Sequence, residues 1–141
     1  MSAEFFLTPE DVECACRGEL HPQARSGLEL FNQGEYFEAH EALELAWREE
    51  TGPVRELYRG ILQIGVAYYH ILRGNYLGAL KMFKRSRPWL APFPDQCRGV
   101  DLASFREDYR EVEEALRRLG PDHVAHFDRA LFKPIQYSEE T

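Results

Sequence analysis

Residues 30–43 read "LFNQGEYFEAHEAL", and residues 70–83 read "HILRGNYLGALKMF". Gly34 and Gly74, Tyr36 and Tyr76, and Ala39 and Ala79 pair across the two stretches at a constant offset of 40 residues. In each copy an apolar pattern with helical spacing stops and a glycine follows. A tyrosine and an alanine then recur three residues apart, on one face of a new helix. A helix that ends on glycine and restarts at once is a helical hairpin. Two copies predict two stacked hairpins.

The shared G-x-Y-x-x-A pattern resembles part of the tetratricopeptide repeat signature. The spacing is longer than that repeat and only two copies occur, so the expectation is a pair of hairpins rather than an array. Helix punctuation extends in both directions. Thr8, Pro9 and Asp11 form a capping box that starts a helix running to about Gly18. Pro22 opens the helix that Gly34 closes, a third runs from Tyr36 to Thr51, and Pro53 opens the longest, ending at Arg73. A fifth runs from Tyr76 to about Arg87. Residues 87–100, "RPWLAPFPDQCRGV", read as an extended loop. Asp101 caps a sixth helix that Gly120-Pro121 ends, and a short helical piece and a polar tail occupy 122–141. No window alternates as a strand would. The expectation is one all-α domain over 1–141, a bundle of about six helices with the fourth at its centre.

The bulk numbers exclude some classes. A formal net charge of -7 disfavours nucleic acid and anionic membrane surfaces as partners. The run "ILQIGVAYYHIL" is about a dozen residues and carries Gln63 and His70, too short and too polar to span a bilayer. The N-terminal "MSAEFFLTPED" has no basic leader followed by a long apolar run. Cys14 and Cys16 form a C-x-C and Cys97 stands apart, so the three cysteines give no even framework. Reduced thiols in a cytoplasmic protein are the expectation.

Function turns on the third helix. At about 100° per residue, Tyr36, Phe37, Leu43, Glu44 and Trp47 fall within roughly 60° of His40. Glu38, Ala42, Leu45 and Glu49 fall opposite. This phasing puts His40 and Glu44 in the middle of an aromatic, inward face. On the fourth helix Glu56, Arg59, Gln63, Ala67 and His70 share one stripe, which faces either water or His40 and Glu44. In the second case Tyr36, Trp47, Gln63 and His70 line a polar pocket with them. His40, Glu44 and His70 then supply two imidazoles and a carboxylate, a donor set suited to zinc, manganese or iron with a position open for water. Glu41, beside the stripe, is the candidate base. Two other readings stand. Without metal, Glu44 orients His40 as a general base; alternatively, the polar groups satisfy one another as a buried network that fixes helix register. His123 and His126, and the cations at Lys81, Lys84, Arg85 and Arg87, read as solvated side chains.

Taken together, "FNQGEYFEAHEALELAWR", "LQIGVAYYHILRGNYLGALKM" and "RGVDL" resemble the domain of unknown function 309 family, also described as predicted metal-dependent hydrolases. The resemblance covers roughly 28–119 and implies a small all-helical bundle. It implies motif positions at His40, Glu41, Glu44 and Trp47, with Gln63, His70, Gly74 and Asn75 in a second block. "ECACRGELHP" lies outside it. Two expectations of function follow. One is a metal-dependent hydrolase of a small molecule or peptide. The other is a non-enzymatic helical-hairpin interaction module.

Overall fold

Gly34 and Gly74 stand at φ 82° and 75°, in the left-handed region where a side chain is disfavoured. The turns around them close alike. Gly34 N–H donates to the Phe31 carbonyl and Glu35 N–H to that of Leu30; Gly74 and Asn75 repeat this on Ile71 and His70. These turns join α2 (Pro22–Asn32) to α3 (Tyr36–Glu49), and α4 (Arg55–Leu72) to α5 (Tyr76–Leu90). The computed structural model describes residues 8–138 as an all-α bundle. Residues 1–7, which include most of the stretch read for a leader, and the last three of the polar tail, 139–141, lie outside the described residues.

α4 is the central element, packed against α3 on one side and α5 on the other. Its buried positions run from Leu57 to Ile71 and include Gly60 and Gly65. These glycines let neighbours approach closely. A Cβ on Gly60 would lie 2.4 Å from Leu90 Cδ2, and one on Gly27 of α2 would lie 2.6 Å from Leu43 Cγ. Phe31, Tyr36, Tyr68 and Phe105 interlock at ring separations of 5.1 to 6.0 Å, joining α2, α3, α4 and α6 (Leu102–Leu119). Such rings dominate core energetics through area and edge-to-face geometry. Beyond α6 the expected short helix is two 3₁₀ turns, Pro121–His126 and Arg129–Leu131. None of the described helices is long and apolar enough to cross a membrane.

The expected loop over 87–100 is corrected at both ends. α5 continues through Pro88 to Leu90, because Leu90 seats on Gly60 and Trp89 on Arg59, contacts that hold the last turn despite the missing donor. Next come two-residue strands, β1 (Gln96–Cys97) and β2 (Val100–Asp101), paired antiparallel. Arg98 and Gly99 turn between them at φ 51° and 85°, the signs a tight two-residue hairpin needs. The expectation of reduced thiols is also corrected. Cys16, at the end of α1 (Pro9–Cys16), is disulfide-bonded to Cys97, and Cys14 alone is free and exposed. The odd count concealed a bond between the first helix and a hairpin 81 residues away.

Candidate functional site

α3 buries Tyr36, Ala39, Ala42, Leu43 and Ala46. The helix is therefore rotated from the expected phase. Its inward face centres on small alanines, which permit close helix contact, and not on the aromatic stripe. Ala42, expected outside, is inside; His40 and Glu44, expected mid-core, flank the seam with side chains 33% exposed. Phe37 is half exposed for the same reason.

At that flank α3 and α4 enclose a small cleft of about 160 Å³, lined by Tyr36, Phe37, His40, Val66, Tyr69 and His70. Five of its six side chains are aromatic rings or imidazoles, two of them the phenols of Tyr36 and Tyr69. Phe37 stacks on His40 with centroids 6.3 Å apart and meets Tyr69 at 5.8 Å. Partial burial holds the His70 pKa below its ordinary value, so neutral imidazole is favoured in the cleft. Burial pushes the Tyr36 phenol up to about 12, keeping it protonated. Asn75 reaches His70 through Nδ2···Nδ1 at 3.4 Å while its Oδ1 caps α5 by accepting from Gly78 N–H.

The other expected site residues are placed elsewhere. Glu44 lies 4.0 Å from His40 Nε2, but its carboxylate accepts a hydrogen bond at 2.9 Å from Arg48, which draws it toward solvent. Glu41 is exposed and does not line the cleft. Gln63 is half-buried with its Oε1 unpartnered among the described residues, and it does not line the cleft. Trp47 belongs to a separate stack: Arg55 and Arg59 lie 4.8 and 5.2 Å from its ring centroid, and Arg59 lies 3.8 Å from that of Trp89. The fold thus brings His40, His70 and Tyr36 together and leaves Glu41, Gln63 and Trp47 apart from them. Among the described residues no three of His, Cys, Asp and Glu are grouped to hold a metal ion. As placed, the donors do not fit a three-ligand centre: the cleft has two imidazoles, and the nearest carboxylate is engaged by Arg48.

Val66 and Tyr69 are cleft residues that the sequence reading did not single out. Leu77 was missed as well. It occupies the position equivalent to Phe37 in the echo, and both are exposed, Leu77 at 72% and Phe37 at 50%. The signal was available in the alignment of the two copies, where an apolar residue follows each tyrosine.

Geometry alone defines an all-α protein of paired helical hairpins with an aromatic and imidazole cleft beside the turn end. Residues 24–82, which contain the whole cleft, match the family model described as "Domain of unknown function (DUF309)". The chain is 42% identical over 97 residues to the uncharacterized protein YpuF of Bacillus subtilis (strain 168), an alignment covering 68% of this chain and 45% of that protein. It is 30% identical over 83 residues to an uncharacterized protein of Aquifex aeolicus (strain VF5), covering 58% of this chain and 25% of the relative. The chain therefore spans less than half the length of either relative.

Proposed function

We propose that the chain is a non-catalytic interaction module of paired helical hairpins, and that its cleft receives an apolar side chain of a partner polypeptide. The observation that supports this is the exposure of Phe37, which lines the cleft, together with that of Leu77 at the equivalent position of the second hairpin. Covering an exposed phenylalanine or leucine fully is worth roughly 1.5–3 kcal/mol, so the pair offers a partner real binding energy. The size of the cleft supports a side chain over a whole ligand. At about 160 Å³ it is well below the roughly 300–1,000 Å³ of small-molecule sites.

The metal-assisted hydrolase is the second reading, with His40, Glu44 and His70 as ligands and Glu41 as base. It draws support from the two imidazoles that share the cleft. One pair of titrations separates the readings, using protein made without an affinity tag. N-acetyl-leucine amide and N-acetyl-phenylalanine amide, followed by NMR, should shift the Tyr69 and His70 side-chain resonances saturably, and Phe37→Ala should weaken the response. Zinc or manganese, followed by calorimetry, should give no stoichiometric binding. Stoichiometric metal uptake abolished by His40→Ala, with no response to the amides, would overturn the first reading in favour of the second.

A further inference from the structure

The segments on either side of the family-matched core are tied to each other. Cys16 and Cys97 both lie outside residues 24–82, and their bond closes around it. α1 is short, eight residues, and buries a single side chain, Val12. Ala15 and Cys16 pack part-buried against the core, and the carbonyls of both accept hydrogen bonds from Arg98, next to the bonded Cys97. Arg98 N–H donates to the Cys16 carbonyl at 2.8 Å, Nε donates to Ala15 at 2.6 Å, and one terminal nitrogen donates to the Glu19 carbonyl at 2.7 Å. The same guanidinium lies 3.7 Å from Glu50 at the end of α3. Arg98 makes these contacts from a left-handed backbone at φ 51°, a conformation that costs free energy in a non-glycine residue. A covalent bond one residue away holds that turn in place.

We propose that Cys16–Cys97 is a redox-operated clasp that docks α1 on the hairpin bundle. A low-molecular-weight dithiol opens it. One thiolate of the reagent attacks a protein sulfur, forming a mixed disulfide and expelling the other protein sulfur as thiolate; the second reagent thiolate then attacks the reagent sulfur of that mixed disulfide and expels the bonded protein sulfur, leaving two protein thiols and an oxidised cyclic reagent. Two electrons pass from reagent to protein, and a disulfide reagent reverses the step. Once the bond is open, the Arg98 turn relaxes, its donors leave the α1 carbonyls, and the helix departs with Val12. α2 to α5 keep their own core. Cys14 sits outside the bond and exposed, where it would shuffle, so the test removes it.

The experiment is amide hydrogen exchange on the Cys14→Ser protein, oxidised and in excess dithiothreitol. Reduction should speed exchange at residues 12–16 and 97–101 at least tenfold while α4 amides stay protected, and oxidised dithiothreitol should restore the slow pattern. Cys97→Ser should show the fast pattern without reductant. Unchanged exchange in α1 on reduction overturns the proposal. So does simultaneous loss of protection in α4, or a Cys97→Ser chain that does not fold, since the bond would then be a staple for the whole fold and not a clasp on α1.

Discussion

Gly27 and Gly65 are both buried helical glycines, yet they should respond oppositely to alanine. At Gly27 the new methyl would meet Leu43 Cγ at 2.6 Å, deep in the α2–α3 seam, so Gly27→Ala should cost about 1–3 kcal/mol by overpacking. At Gly65 the nearest atom is Phe31 Cδ2 at 3.4 Å, an ordinary contact, and the gain in helix propensity should leave Gly65→Ala neutral or up to about 1 kcal/mol more stable. Urea midpoints of the two variants measure the difference. The same scale shows where the sequence misled. His40 and Glu44 were phased inward because aromatic residues weigh heavily in a hydrophobic count, whereas the seam is lined by Ala39, Ala42 and Ala46, whose small size lets the helices approach. Periodicity placed Tyr36 and Phe37 within reach of His40, and all three line the cleft, whereas Glu44 and Trp47, expected with them, do not. It erred on the rotation, by about one residue's worth of arc.

Several helix ends were legible because local chemistry marks them. Thr8 and Asp11 form the reciprocal box, Asn75 and Asp101 cap α5 and α6, and the two glycines turn the hairpins as their sequence demands. What escaped was non-local. Pro88 is tolerated because tertiary contacts hold the last turn of α5, and the Gln96–Asp101 hairpin is too short to show alternation. The junction of α5 with α6 makes a further prediction. Glu113 is buried and accepts from Arg87 at 2.5 Å and from Arg117 at 3.0 Å. Both arginines are half exposed and can return to water, so Glu113→Gln should cost about 1–2 kcal/mol, below the usual range for breaking a buried pair. Thermal melts of that variant against Arg117→Gln test whether the carboxylate contributes more than either partner.

Partly and fully buried titratable groups together set a stability window in pH. His70 has a lowered pKa, so the unfolded chain takes up its proton first and stability should decline as pH falls through 6.5. Tyr36 is raised to about 12 and Tyr68 is raised too, both mainly by burial, so the unfolded chain ionises first above pH 10 and stability should fall again toward 12. Denaturant midpoints across that range should trace a plateau with two falling limbs. His70→Gln should flatten the acid limb alone.

The stack of Arg55, Trp47, Arg59 and Trp89 has a practical consequence. The chain has two tryptophans, and both stand in that stack, at the meeting of α3, α4 and α5. Indole fluorescence is therefore an optical reporter of one locus and is silent about α1 and the cleft. Emission should stay constant when the disulfide is reduced and change when the hairpins separate. Circular dichroism, which sums over every helix, should register both events.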